Sequence, residues 1–209
     1  MRFLIDANRK DVSELMLKYP ALVCGQLLTP LTRYKNGEDG PFAIDNGAFS
    51  GFNRTGFASL LAREEPNKAR CLFVAVPDVV GSGRRTLEVF KHRHEIVRNW
   101  PLALVAQDGM EDLEIPWTEI AAIFVGGGDP WKDSKASLDI VRAAKTLGKH
   151  VHVGRVNTFT RFNMFAKIGA DTCDGSGVAI YSDEMLGRIS RAMQANEDAD
   201  LWGNEGSGA

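Results

Sequence analysis

Eight short apolar runs, rich in Val, Ile, Phe and Ala, recur along this 209-residue chain. They are Arg2–Ile5, Ala21–Cys24, Phe42–Ile44, Cys71–Val76, Leu102–Ala106, Ala122–Val125, Val151–Val153 and Ala170–Cys173. Most show little apolar–polar alternation, the pattern of parallel strands buried on both faces. Stretches with helical spacing lie between several of them. Arg84–Asn99 places Leu87, Phe90, His94 and Val97 on one stripe, and Ser134–Leu147 does the same with Leu138, Val141 and Ala144 before Gly148. Thr160–Ile168 is a shorter case, and Ser182–Gln194 reads as a last helix. Strands alternating with helices predict βα units and a parallel sheet. The expected fold is therefore α/β: a compact (β/α)8 TIM-like barrel, single domain, without a zinc subdomain. Because that fold typically uses about 250 residues, some helices must be short or missing.

The spacing predicts one domain over 1–195 and a disordered tail over 196–209. Thr29–Gly40 reads as an irregular loop. With 44% hydrophobic and 25% charged residues, the composition is that of a globular protein. No apolar run approaches the roughly 18–20 residues needed to span a membrane, and MRFLIDANRKD does not read as a signal peptide. The expected location is cytoplasmic. Cys24, Cys71 and Cys173 lie far apart, and the four histidines complete no zinc pattern. Reduced thiols, no structural metal and no organic cofactor are expected. The net charge of -2 argues against indiscriminate nucleic-acid binding.

Several apolar runs end in groups that can do chemistry. Phe42–Ile44 leads into Asp45, Asn46 and Gly47, and Cys71–Val76 into Pro77 and Asp78. Leu102–Ala106 leads into Gln107 and Asp108, and Ala122–Val125 into Gly126, Gly127 and Gly128. Val151–Val153 leads into Gly154 and Arg155, and the last run reaches Asp174, Gly175, Ser176 and Gly177. In a βα barrel the C-terminal strand ends converge on one rim, and that rim holds the active site.

These strand ends resemble the tRNA-guanine transglycosylases, and more closely their DNA-acting relatives, the 7-deazaguanine DNA-modification transglycosylases of phages and bacterial gene islands. DNGAF at Asp45–Phe49 resembles the family's DSGGFQ, and VPD at Val76–Asp78 its FDE. VAQDG at Val105–Gly109 resembles IVQGG, VGGG at Val125–Gly128 resembles IGGL, and DTCDGSG at Asp171–Gly177 resembles DMFDCV. The five matches keep the family's order and span roughly Phe42 to Gly177.

The resemblance implies a pentosyltransferase that replaces guanine in DNA with a 7-deazaguanine, preQ0 or a derivative. Asp174 is then the nucleophile that attacks the anomeric carbon, and Asp45 the general acid/base for the leaving and entering base. Asp78 accepts hydrogen bonds from the purine's Watson–Crick edge, and Gln107 with the Gly127–Gly128 backbone binds its carbonyl side. Asn46 is counted with the substrate-binding residues. A carboxylate nucleophile splits one hard displacement into two easier ones, and general acid/base help of this kind is typically worth ~10²–10⁴ in rate. A base in a duplex must first be flipped out, at a cost of a few kcal/mol.

The departures from the family pattern also carry information. The cysteine cluster of the tRNA-acting members is missing, which moves the expected polymer from tRNA to DNA. The family's FQ is Phe49–Ser50 here. The arginine-containing segment after its nucleophile is replaced by Gly175–Ser176–Gly177.

Each residue also has a purely structural reading. Asp45 could serve a turn before Asn46–Gly47, Asp78 could cap the segment leading to Arg84, and Asp174 could belong only to a glycine turn or a phosphate loop. Asp108 rivals Gln107. Arg84, Arg85, Arg155 and Arg161 are candidate phosphate-backbone contacts, against the commoner reading of the Arg84–Arg98 cluster as a solvated face. Phe49 and Phe52 are stacking candidates, ahead of Trp100, Trp117 and Trp131. The expected partners are DNA and a free 7-deazapurine base, with a homodimer or partner protein supplying further DNA contacts. Two rival functions are a nucleoside or modified-base hydrolase using the same carboxylates, and a non-catalytic purine- or nucleotide-binding barrel.

Overall fold

The computed structural model describes residues 1–7, 9–31, 40–93 and 97–175, and within the C-terminal segment 183–184, 186–187, 189–191 and 193. Of the expected helix Ser182–Gln194, residues 183, 184, 186, 187, 189–191 and 193 are described and all are helical, and the rest lie outside the described residues. His94, Ser176, Gly177 and the expected tail lie outside them altogether.

Eight parallel strands close into a barrel in chain order. They are β1 (Arg2–Ile5), β2 (Val23–Leu28), β3 (Phe42–Ile44), β4 (Cys71–Ala75), β5 (Leu102–Ala106), β6 (Ala122–Val125), β7 (His150–Val153) and β8 (Thr172–Cys173). Closure is made by β8 on β1, where Arg2 pairs with Thr172 and Phe3 with Cys173. The (β/α)8 TIM-like barrel expected from the sequence is the observed fold, as a single compact α/β domain. The helices are α1 (Arg9–Lys18), α2 (Arg54–Glu64), α3 (Gly83–Arg93), α4 (Asp129–Lys132), α5 (Lys135–Thr146) and α6 (Phe159–Lys167). No described helix is long and apolar enough to cross a membrane.

The economy of length comes partly from the β5–β6 connection. It holds one turn of 3₁₀ helix at Met110–Asp112 and no α-helix. Ile115 and Trp117 pack there against the core in place of a helix.

Several expectations are corrected in their bounds: β4 ends at Ala75 rather than Val76, β7 begins at His150 rather than Val151, β8 begins at Thr172 rather than Ala170, and two differ more. The second strand is Val23–Leu28, not Ala21–Cys24. Gly25 lies inside it because a Cβ there would sit 2.0 Å from the Pro41 carbonyl oxygen, so only glycine lets the neighbouring segment pass. The helix read over Arg84–Asn99 is α3, Gly83–Arg93, and 97–99 form a turn. By contrast α5 follows its sequence signals closely. The Ser134 side chain caps it by accepting from Ser137 N, and Gly148 ends it at φ 67°.

The strand period of two divides the core into two layers. Leu4, Ala43, Phe73, Ala75, Ala103, Val105, Ala122 and Phe124 fill the barrel. Their neighbours Phe3, Ile44, Val74, Leu104, Ile123 and Val153 face the surrounding helices. The same period carries the inward row past the strand ends. Counting by twos from Leu4, Ala43, Val105, Phe124 and Thr172 reaches Asp6, Asp45, Gln107, Gly126 and Asp174, all of which line one cavity at the C-terminal rim.

Candidate active site

The rim cavity has a volume of about 320 Å³ and is bordered by Asp6, Asp45, Asn46, Phe49, Asp78, Gln107, Gly126, Gly154, Arg155 and Asp174, among others. That volume lies at the lower end of the range for small-molecule sites.

Asp45 follows β3. Its Oδ1 accepts from Gly47 N at 3.0 Å, so it makes the expected Asx turn and lines the cavity as well. The turn engages Oδ1, and the Asn46 N–H also acts on this carboxyl. Burial pushes this carboxyl from the ordinary 3.8 up to about 7, and the negative charges of Asp174 and Asp78 add to the rise against the bond from Gly47 N.

Asp78 is held from both sides. Asn46 Nδ2 donates to Oδ1 at 2.8 Å, and Gln107 Nε2 donates to Oδ2 at 2.7 Å. Burial raises its pKa against these two donors. Asn46 is itself buried: Nδ2 also donates to the Val76 carbonyl, and Oδ1 accepts from Ala48 N. Gln107 Oε1 accepts from Gly81 N at 2.9 Å. Both ends of the Gln107 amide are therefore in use, and its visible task is to fix Asp78.

Asp174 follows β8 and accepts at both oxygens, from Arg155 N to Oδ1 at 2.8 Å and from His152 Nε2 to Oδ2 at 3.0 Å. Gly175, at φ 137°, packs closely on the segment that follows β7, since a Cβ there would lie 2.6 Å from the Val156 carbonyl oxygen. Each carboxylate oxygen retains a second lone pair after accepting one hydrogen bond, so the clamp orients Asp174 without blocking it.

The remaining candidates divide. Phe49 borders the cavity, 68% exposed, and the Arg155 guanidinium lies 4.6 Å from its ring centroid. Arg155 Nη2 also donates to the carbonyls of Gly126 and Gly127. Gly126 lines the cavity and Gly127 and Gly128 do not. Their N–H groups already donate, to the Ala106 carbonyl and to Asp108 Oδ2. Arg161 is away from the cavity and ion-paired to Asp129 and Asp133. Arg84 and Arg85 are exposed on α3 and do not border it. Phe52 packs on Phe57, and Trp100, Trp117 and Trp131 are not among the lining residues.

Three contributions were not anticipated. Asp6 adds a fourth carboxylate to the wall, and the inward period of β1 marks it. His152 supports Asp174 from inside the barrel. Lys132, on α4, is fully buried and donates to the Gly154 carbonyl at 2.5 Å. Burial, then the charges of Arg155 and Arg161, push its pKa down to about 8. Among the described residues no three His, Cys, Asp or Glu side chains form a metal cage. The chain matches no family model and no curated protein sequence.

Proposed function

We propose that the chain is a guanine transglycosylase that exchanges guanine in DNA for a 7-deazaguanine, preQ0 or a derivative, through a covalent aspartyl–glycosyl intermediate. One observation carries the reading: Asp45 and Asp174 share a cavity but are held in contrasting ways. Asp174 is clamped at both oxygens by donors, while Asp45 is half-buried at the cavity wall near two other carboxylates, with a pKa of about 7. Two carboxyl groups in contrasting surroundings are the usual means of dividing nucleophile from acid/base.

An Asp174 oxygen attacks C1′ of the target nucleotide. The C1′–N9 bond breaks, its electron pair leaves with the purine, and protonated Asp45 supplies a proton to the departing base. An incoming deazaguanine then loses its N9 proton to the Asp45 carboxylate. Its nitrogen attacks C1′, and the ester bond to Asp174 breaks. Two inversions restore the configuration at C1′. A carboxyl that titrates near neutrality serves as both acid and base. Asp78 supplies acceptors to the purine's N–H edge, and Phe49 offers a face for stacking. The choice of DNA rests on the missing cysteine cluster. With a net charge of -2, further DNA contacts would come from a second copy or a partner protein.

The test is to incubate the protein with DNA and preQ0, digest the product and analyse its nucleosides. Deazaguanosine in DNA, and its absence with Asp174→Ala, is the expected result. Full activity of Asp174→Ala removes the assigned nucleophile, and incorporation into tRNA alone corrects the polymer. Free guanine released with no added base marks a hydrolase. Purine binding that survives Asp174→Asn, without turnover by the wild type, marks a binding protein.

A further inference from the structure

Below Asp174 a line of polar side chains runs down the inside of the barrel. His152 Nε2 lies 3.0 Å from Asp174 Oδ2, His152 Nδ1 lies 2.9 Å from Thr172 Oγ1, and Thr172 Oγ1 lies 2.8 Å from His150 Nε2. The strand period builds it. His150 and His152 are two apart on β7, Thr172 and Asp174 are two apart at β8, and His152 is paired across the sheet with Thr172. Aromatic rings wall the line at His152, while Asp171 and Lys145 lie near its His150 end. The fully buried His152 ring lies 5.0 Å from the ring centroid of Phe73 and 4.6 Å from that of Phe124, and His150 lies 5.6 Å from Phe73.

Donor counting limits how such a line can be wired. A threonine hydroxyl has one proton. Placed between two imidazole nitrogens, it can donate to only one of them, so at least one of the two must carry a proton toward it. A ring nitrogen facing a carboxylate must carry its proton, which in a neutral His152 leaves Nδ1 as an acceptor. Thr172 then donates to His152 and accepts from His150 Nε2–H.

We propose that His152 is a positioning residue for Asp174, held as the neutral Nε2–H tautomer by Thr172 and His150. All three donors in the line point toward the carboxylate, and Asp174 is the line's only charge. Hydrogen bonds aligned this way polarise one another, and an apolar wall strengthens each of them. Burial lowers the His150 pKa to about 4, which keeps that ring neutral. With Arg155 N on the other oxygen, the line fixes the rotation of the carboxylate plane.

The role of His152 rests on the transglycosylase reading, whereas the wiring does not, and the experiment separates them. Long-range ¹H–¹⁵N spectra of histidine-labelled full-length protein report the tautomer without any substrate, with His152→Gln used to assign the signals. The expected spectrum has His152 protonated at Nε2 and bare at Nδ1. In Thr172→Val, which keeps shape and removes the hydroxyl, the Nδ1 signal is expected to shift, and Thr172→Ser to restore it. In the exchange assay, Thr172→Val should lower kcat roughly ten-fold, the size of one ordinary hydrogen bond, with KM for the base unchanged and Thr172→Ser rescuing. A proton on His152 Nδ1, or a spectrum indifferent to Thr172→Val, overturns the wiring. Correct wiring with undiminished kcat in Thr172→Val overturns the positioning role. Correct wiring in a wild type with no exchange activity overturns the transglycosylase reading, and the positioning role with it.

Discussion

Asn46 Nδ2 donates to Asp78 Oδ1 at 2.8 Å, so the end of β3 fixes a carboxylate supplied by the end of β4. The same amide also ties down the Val76 carbonyl. Asn46→Ala leaves a buried carbonyl unpaired and takes from Asp78 one of its two side-chain donors. The expected loss is about 1–3 kcal/mol of stability, the usual cost of an unsatisfied buried group, measured by guanidinium unfolding. Guanine affinity should fall with it in calorimetry. Unchanged affinity would mean that Asp78 needs no support from Asn46 or does not bind the base.

Asp45 predicts a pH dependence with a definite sign. Its folded pKa of about 7 lies above the ordinary 3.8. Between those values the folded chain keeps a proton that the unfolded chain has lost. This group therefore makes stability fall as pH rises from about 4 to about 7, against an opposite slope from His150, whose lowered pKa of about 4 makes stability rise between about 4 and 6.5. Asp78, also raised, adds to the fall. Asp45→Asn should remove this downward contribution, so stability of the variant relative to the parent should rise across that window. Exchange activity, which needs both forms of Asp45 in turn, should peak near pH 7 and be lost in Asp45→Asn. A wild-type optimum well below pH 5 would remove Asp45 from the acid/base role.

The strands were legible because closure of the barrel demands runs apolar on both faces, and β1, β3, β5 and β6 have the bounds read from their residues. Helices were less so. In α2 the buried residues Phe57, Leu60, Leu61 and Glu64 share one face, but Glu64 places a charge on it, so the apolar pattern marks the face weakly. Its clearest mark is Asn53, whose side chain caps it by accepting from Gly56 N. At the rim, the inward period picks out Asp45, Gln107 and Asp174 from sequence alone. What it hides is which polar groups satisfy one another. Gln107 reads as a ligand contact, yet its amide is consumed by Gly81 and Asp78, 26 and 29 residues away. The HVHV of β7 places two histidines on one face, but their partner Thr172 is on another strand. The buried Lys132 follows no local pattern at all, because its environment is assembled from α4 and the end of β7.

Phe49 tests the stacking role separately from stability. It is exposed, and its contact with Arg155 lies beside the cavity. Phe49→Ala should leave unfolding within about 0.5 kcal/mol of the parent, as for most surface changes. Base–aromatic stacking is worth ~1–3 kcal/mol, so KM for the incoming base should rise roughly ten- to one-hundred-fold. An unchanged KM would assign Phe49 to contacts outside the base pocket.

Lys132 gives a prediction in the alkaline range. Its pKa of about 8 in the folded chain lies below the ordinary 10.5. Between these values the unfolded chain binds more protons, so this group makes stability rise with pH from about 8 to about 10.5. Lys132→Met has similar length and no charge, and the difference between variant and parent stability should therefore depend on pH only in that window. Below pH 8 the variant removes a buried cation, which favours it, but leaves the Gly154 carbonyl without its donor, which opposes it. Above pH 10.5 only the lost hydrogen bond remains, so the variant should be less stable there relative to the parent than at pH 7. Guanidinium unfolding at pH 7, 9 and 10.5 measures this. A difference that stays constant across the three would show that Lys132 keeps its proton in the fold, held by the Gly154 carbonyl and the nearby charge of Asp174.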